Sequence, residues 1–382
     1  MIMKNSGINL EQVKINNKST ILKLINEKGP LSRKDIADET GLTPASVTQI
    51  TTALLSDGLL TEKGTDETVR STAGRRKVFL DINPEYLFGV TVNLDPENTT
   101  VAVINAKGEA ILKDSFKTDK EKSADDFLRK VSIRIDSITD KLPREQKDKI
   151  KTVSISVPGP VDRENGIAGR AYGIWKESVA IKSALEGLTG KNIIVSNNVD
   201  AFSKAELLFG EGRKWENLFI IKWGPGVGSS IVIDGKIYEG RHKKTAEIGH
   251  VIVDREGKKC ACGRIGCLGT KISYQALNKI TRFSPEDFGT VFENAKKKER
   301  KDFEDAISLF AECIVNAGVL IAPNRIVLEG SLLQSEVIRN ALIESCKELD
   351  PAYDENRIVF SSLYDKEDHI GPAAELLAYE LF

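Results

Sequence analysis

The stretch EIGHVIVDREGKKCACGRIGC, from Glu247 to Cys267, contains His250, Cys260, Cys262 and Cys267 in a His-x9-Cys-x-Cys-x4-Cys arrangement. One imidazole and three thiolates complete a tetrahedral shell for Zn2+ and leave no position for water or substrate, so the expected metal is structural. Gly263 and Gly266 let the backbone turn sharply between the thiol ligands. Three small buried cysteines beside an ordinary histidine would be the plain alternative. It is disfavoured because three of the chain's five cysteines fall within eight residues at ligand spacing. Cys313 and Cys346 lack such spacing and are expected to be simply buried.

Glu247-Ile-Gly-His250 followed by Cys260-x-Cys262-Gly-x-x-Gly266-Cys267 resembles the signature of the ROK family, which contains sugar kinases and sugar-responsive repressors. The resemblance runs from about residue 10 to the end. It implies an α/β architecture: an N-terminal winged helix-turn-helix over 1–80, then an actin-like, ribonuclease-H-like two-lobed ROK domain over 81–382. The first lobe would span 81–195 plus a closing helix at 371–382, and the second 196–370. By the same resemblance, Glu247 and His250 touch sugar hydroxyls while His250 also ligates the zinc.

The 382 residues carry 55 Lys/Arg and 56 Asp/Glu, a net charge of −1, which gives no overall bias toward nucleic acid or membrane. The charge is uneven, however. Residues 1–80 hold 12 Lys/Arg against 9 Asp/Glu, while the rest holds 43 against 47. A mildly basic head on a mildly acidic body suits a DNA-contacting module. No apolar run is long enough to span a bilayer and no signal peptide precedes the first polar segment. Thiols free to hold zinc point to the reducing cytoplasm.

The head carries its own pattern. Ile21, Leu22, Leu24 and Ile25 form an apolar helix face ending at Gly29-Pro30. Ser32 stands where an N-cap belongs, with Asp35 three residues on, Ile36 and Ala37 inside, and Gly41 as the stop. Thr43 caps the next helix, with Pro44 at its first position. Val47, Ile50 and Leu54 should face the core. Ser46, Thr48, Gln49 and Thr52 then face outward as short polar groups suited to groove contacts. Leu59-Leu60 and Val78–Leu80 read as the strands of a wing, with Gly74-Arg75-Arg76-Lys77 near its base. Helix, turn and helix joined at Gly41 read as a DNA-binding unit, with Ser32, Arg33, Thr43, Ser46, Thr48, Gln49, Arg75 and Arg76 as its contacts. The SRxDIAxxTGLTxxSVTxI pattern also resembles the repressor branch of the family. A protein-docking bundle with a solvated charged edge remains the alternative.

In the body, Leu87–Asn93, Thr99–Asn105 and Glu109–Phe116 alternate as an antiparallel meander. A charged amphipathic helix follows near Lys120–Lys130, then strands at Val153–Val157, Ile193–Ser196, Leu218–Trp223, Ser229–Ile233 and Ile326–Glu329. Meander, crossover helix and parallel strands, used twice, describe two lobes around a cleft.

Three positions decide whether such a cleft does chemistry. Kinases of the family open with Asp-x-Gly-Gly-Thr, whose glycines let the backbone cradle phosphate. Here Asn93-Leu94-Asp95-Pro96-Glu97-Asn98 has no glycine and adds negative charge. Where those kinases carry the catalytic aspartate of Asn-Asp-Ala-Asn-Ala, this chain has Asn198, and an amide cannot take the acceptor's proton. Where they carry Cys-x-Glu, this chain reads Cys267-Leu268-Gly269. Gly224-Pro225-Gly226-Val227-Gly228 survives as a turn. Asn197, Asn198, Glu247 and His250 are the expected effector contacts, beside the Pro158-Gly159-Pro160 turn. The basic run Arg241-His242-Lys243-Lys244 favours an anionic sugar, unless it is only a solvated loop. The resulting expectation is a repressor of carbohydrate-utilisation genes that binds operator DNA as a homodimer or homotetramer and senses a sugar with an inactive kinase-like body. The alternatives are an active sugar kinase with a DNA-binding head, or a regulator that has lost its effector.

Overall fold

The computed structural model describes residues 10–65, 77–120, 123–240 and 245–382. They form two compact units, Met1–Ala201 with Asp368–Phe382, and Phe202–Glu367. No helix among the described residues is long and apolar enough to cross a membrane.

The first unit opens with α1 (Leu10–Lys28), β1 (Leu31–Ser32), α2 (Arg33–Thr40), α3 (Pro44–Ser56), β2 (Leu60–Thr65) and β3 (Val78–Ile82). Strand β3 pairs antiparallel with both β1 and β2, giving the winged helix-turn-helix expected from the sequence. Ile21, Leu22, Ile25, Ile36, Val47, Leu54, Leu80 and Ile82 are its buried core. Local chemistry sets the helix ends. Ser32 and Asp35 form a reciprocal capping box, Gly41 closes α2 at φ 69°, and the Thr43 hydroxyl accepts from the Ser46 N–H. Each such cap contributes about 1 kcal/mol. The buried stripe of α3 runs Val47, Thr51, Leu54, and Ile50 is only half-buried instead of facing the core. At 100° per residue, Ile50 and Thr51 flank the Val47–Leu54 line equally on opposite sides; the Thr51 side is the covered one, and its hydroxyl is satisfied by the Val47 carbonyl at 2.8 Å.

The unit continues with β4 (Phe88–Leu94), β5 (Asn98–Asn105), β6 (Ala110–Lys117), α4 (Ala124–Thr139), α5 (Arg144–Asp148) and β7 (Thr152–Val157). The short strands β8 (Val161–Asp162), β9 (Ile167–Ala168) and β10 (Val179–Ala180) make a small sheet, before α6 (Ile181–Thr189), β11 (Asn192–Asn197) and α7 (Asn198–Phe209). The main sheet runs β11-β7-β4-β5-β6, antiparallel across β4-β5-β6 and parallel across β4, β7 and β11. Helices α4 and α6 cover one face through Phe127, Val131, Ile135, Ile181 and Leu185.

In the second unit, β12 (Leu218–Trp223), β13 (Val227–Ile233) and β14 (Lys236–Ile237) form the meander. Helices α8 (Gly269–Ile272), α9 (Tyr274–Leu277), α10 (Phe288–Asn294) and α11 (Lys297–Ile321) lead to β15 (Arg325–Glu329), and α12 (Glu336–Leu349) leads to β16 (Ile358–Phe360). The order β14-β13-β12-β15-β16 repeats the first sheet strand for strand. Trp223 is its aromatic hub, 4.7 Å from Phe310 and 6.2 Å from Phe288 between ring centroids, with its indole N–H on the Ile272 carbonyl at 2.6 Å. Cys313 and Cys346 are buried, as expected. At the carboxyl edge of the parallel pair, the Lys222 ammonium lies 3.3 Å from Glu329 Oε2 and 2.6 Å from Glu367 Oε1. Burial works against the Lys222 charge, yet the two carboxylates outweigh it and hold the lysine protonated. Burial first, and Glu367 next, push the Glu329 carboxyl well above its ordinary range.

The last helix, α13 (Glu367–Glu380), begins four residues before the Gly371 start suggested by Gly371-Pro372. An interior proline costs about 3 kcal/mol in an isolated helix. Burial of Ile370, Ala373, Ala374, Leu376 and Leu377 offsets it. Strand β4 meets this helix at Gly89, where an added Cβ would lie 2.4 Å from Leu376 Cδ1. Gly89→Val should therefore lower the thermal unfolding midpoint, at a cost of about 1–3 kcal/mol. Leu376→Ala in the same chain should return part of that loss, and calorimetric scans of the single and double variants check the coupling.

Candidate functional site

On the head, α3 leaves Thr43, Ala45, Thr48, Gln49 and Thr52 exposed along one face. Thr43 donates to Ser46 Oγ at 2.9 Å and Thr48 donates to the Pro44 carbonyl at 2.7 Å, so both hydroxyls keep lone pairs for further contacts. Ser32 differs from the other candidates: it is 3% exposed and its hydroxyl serves the capping box, so it shapes the start of α2 and offers no surface to a groove. Arg33 ties α2 to α3 by donating from Nε to the Thr51 hydroxyl at 3.0 Å. Lys77 pairs with Asp35 at 3.2 Å, and the Ser32 hydroxyl, followed by Lys77, holds that carboxyl below its ordinary range. Arg75 and Arg76 lie outside the described residues.

The second unit gathers His250, Cys260, Cys262 and Cys267, whose ligand atoms all fall within 4.8 Å of one another. Cys260 Sγ lies 3.5 Å from His250 Nδ1, and Cys262 Sγ lies 3.6 Å from Cys267 Sγ. A tetrahedral ion with bonds of about 2.3 Å to sulfur and 2.0–2.1 Å to nitrogen sets the sulfur–nitrogen separation at about 3.5 Å and the sulfur–sulfur separation at about 3.8 Å. The donor set thus fits one small metal ion. Burial and the neighbouring Cys262 and Cys260 side chains push the Cys267 thiol up to about 12, so this one thiol resists the charge that an ion would stabilise.

The loop around these ligands has little regular structure to rely on. It is threaded by isolated bridges, Ile252 with Cys267 and Lys259 with Ile265. The Gly266 carbonyl accepts from the Val253 and Asp254 N–H groups at 2.9 and 3.2 Å. Gly266 has φ 73°, and an added Cβ would sit 1.4 Å from the Asp254 carbonyl oxygen, so no other residue fits there. Lys271 closes the loop on Asp254 at 2.7 Å. Upstream, Ser229 on β13 shapes the Glu247–His250 turn by donating to the Ala246 carbonyl and accepting from the Ile248 N–H. Sequence reasoning missed Ser229, because a serine alternating along a strand carries no signal. The turn presents the two ring nitrogens of His250 differently. Nδ1 faces the thiols, while Nε2 lies 3.9 Å from Glu247 Oε2.

Asn197 and Asn198 stand in the first unit, at the start of α7. Asn197 is fully engaged in scaffolding: Oδ1 accepts from the Val199 and Asp200 N–H groups at 2.8 and 3.2 Å, and Nδ2 donates to the Gly159 carbonyl at 2.7 Å. Asn198 is half-buried and its amide makes no hydrogen bond among the described residues. The Asn93–Asn98 turn is filled by its own groups. Asp95 Oδ1 accepts from the Glu97 N–H at 2.9 Å, Thr118 donates to the Asp95 carbonyl at 2.6 Å, and Pro96 is buried. Gly224 to Gly228 turns β12 into β13, with the Gly224 N–H on the Gly226 carbonyl at 3.0 Å. Residues 241–244, on which the preference for an anionic sugar rested, lie outside the described residues.

The sequence profile of the ROK family matches residues 90–377. The chain belongs to the ROK family. A winged helix-turn-helix DNA-binding profile matches residues 17–61, so this ROK chain carries a module that the family's signature alone does not require. It is 27% identical over 358 residues to the N-acetylglucosamine repressor of Shigella flexneri, covering 88% of this chain and 86% of that one. It is 29% identical over 286 residues to the xylose repressor of Caldicellulosiruptor bescii, covering 73% and 70%. The crystal structure of a ROK transcriptional regulator, a homologue of the Escherichia coli Mlc protein, superposes with a TM-score of 0.77 at 26% identity over 95% of this chain and 97% of the other. The likeness therefore runs through head and body together.

Cys262 is exposed whereas Cys267 is wholly buried, so Cys262→Ser removes a donor without opening the core. Native mass spectrometry should find about one zinc per parent chain and markedly less in Cys262→Ser. The variant's thermal transition should fall while its affinity for DNA, measured on the full chain, stays within about twofold.

Proposed function

We propose that this ROK protein is a sugar-responsive transcriptional repressor, with a DNA-reading head over residues 1–80 and a body over 81–382 that binds its effector without phosphorylating it. The observation that carries the reading is a capped helix-turn-helix whose α3 exposes Thr48, Gln49 and Thr52 on one face, with Thr43 exposed at its N-cap, attached to a ROK body. Short hydroxyls and one amide on the N-terminal turns of such a helix suit base edges and phosphates in the major groove. Gln49 makes the bidentate contact to adenine in this reading, and Thr43, Ser46 and Thr48 hold the helix against the backbone. Arg33 reaches phosphate from α2, with Arg75 and Arg76 supplying the wing's charge.

In this reading Asn198 of the first unit, and separately Glu247 and His250 of the second, are groups able to bond sugar hydroxyls, and Asn197 keeps its helix start in place. Zn2+ held by His250, Cys260, Cys262 and Cys267 would fix the turn that carries Glu247. An amide at Asn198 has no useful basicity near neutral pH, and a self-filled, glycine-free turn at Asn93–Asn98 offers phosphate no backbone cradle. Both features favour sensing over catalysis. Two heads acting as a pair would require half-sites about 34–36 Å apart or multiples of that spacing.

Footprinting on the chain's own promoter region followed by competition binding tests the head. Gln49→Ala should weaken specific binding by about 1–3 kcal/mol and relax preference at one base pair, while leaving the dependence on salt unchanged. Incubation with ATP and a panel of hexoses, pentoses and amino sugars should give no sugar phosphate. At least one of those sugars should release the operator, and stoichiometric phosphoryl transfer to any of them would falsify the inert-body reading.

A further inference from the structure

Three turns meet at the carboxyl edge of the first unit's parallel strands: Asp95-Pro96 after β4, Pro158-Gly159-Pro160 after β7, and Asn197-Asn198 after β11. Open α/β sheets take their ligands at such edges. All three carbonyls of the Pro158–Pro160 turn are claimed. Pro158 accepts from the Tyr172 N–H at 3.1 Å, Gly159 from Asn197 Nδ2 at 2.7 Å, and Pro160 from the Gly169 N–H at 2.9 Å. The segment from Gly169 to Gly173 is therefore stitched across the edge. Gly159, at φ 110°, admits it so closely that an added Cβ would be 2.1 Å from the Arg170 carbonyl oxygen and 3.5 Å from Tyr172 Cδ2. Gly173, at φ 80°, presses on Pro96, where an added Cβ would be 2.9 Å away. Two residues further on, Trp175 anchors the segment against Phe127 at 5.8 Å between ring centroids.

The backbone around Tyr172 is thus fixed on both sides, yet the residue keeps 41% of its surface exposed. Tyr172, tied by its N–H to the Pro158 carbonyl, and Asn198, next to the Asn197 that bonds the Gly159 carbonyl, are thus carried by one turn, and together they offer the two chemistries that recognise a sugar ring: an aromatic surface for its C–H face and a hydrogen-bonding group for its hydroxyls. We infer that Tyr172 is the stacking platform of the effector site, against which a pyranose ring lays its C–H face while Asn198 bonds a hydroxyl at the ring's edge. The inference rests on the sugar-sensing reading above and adds to it a contact and a class of ligand. The platform selects rings with an unbroken apolar face and is indifferent to the charge of a substituent at the rim. Stacking needs the ring of Tyr172 and not its hydroxyl.

Titration calorimetry on the full chain, with N-acetylglucosamine, D-xylose and D-glucose as separate probes, tests this. For whichever probe binds the parent chain, Tyr172→Ala should raise Kd about five- to tenfold, whereas Tyr172→Phe should stay within twofold. Saturation-transfer NMR with irradiation of the aromatic protons should mark the sugar's ring C–H groups in the parent and in Tyr172→Phe, and lose that mark in Tyr172→Ala. Unchanged Kd and an unchanged mark in a Tyr172→Ala chain with parental circular dichroism overturn the platform and leave sugar sensing standing. Equal weakening in Tyr172→Phe also overturns it, since the hydroxyl would then be the contact. If none of the three sugars binds the parent chain, the sensing reading itself fails for them and the platform falls with it.

Discussion

Residues 247–267 contain one short helical turn at Ile248–His250 and two isolated β-bridges, so no ladder of backbone hydrogen bonds determines their path. Four metal-ligating side chains converge on one point in this stretch, with Cys267 rooted in the core and Cys262 at the surface. Glu247 and His250 sit at one end of that loop, on the turn that Ser229 shapes. The nitrogen of His250 that faces the thiols leaves the other beside Glu247, so a single imidazole joins the structural cluster to the group that meets solvent.

The first hairpin turn of the body is closed by its own side chains and their neighbours. In an active phosphotransferase the first hairpin turn must stay open to backbone approach. Here Thr118, Asp95 and Pro96 occupy that space with local hydrogen bonds and packing. Asn197 shows the same tendency, with both ends of its amide spent on holding a helix start to a neighbouring turn. Neighbouring asparagines in sequence therefore have unlike functions: Asn197 holds the frame and Asn198 keeps its amide available.

Much of the fold was legible in the sequence because the signals were local. Alternation marked β4, β5, β6 and β12 to within a residue or two, and the Ser32-Asp35, Gly41 and Thr43-Pro44 signals set the helix ends of the head. The convergence of His250, Cys260, Cys262 and Cys267 was legible from residue type and spacing. Short elements such as β8–β10 and β16 were not, because two or three residues carry no periodicity. The start of α13 was misplaced because a Gly-Pro pair reads as a boundary, and only tertiary burial shows that the helix passes through it. Ser32 looked like a surface hydroxyl because the capping signal says nothing about depth.

The Lys222, Glu329 and Glu367 trio has a consequence for how the second sheet assembles. Lys222 on β12 stands directly opposite Glu329 on β15. Parallel strands rich in Ile, Val and Leu could slide past one another at little cost in apolar contact. A slip of one residue would set the ammonium against Leu328 and leave a carboxyl without its counter-charge in the interior, at a cost of several kcal/mol. The trio adds little net stability by this account. Its effect is to make one alignment of the two central strands the tolerable one, so that misaligned pairings are rejected before the helices pack over them.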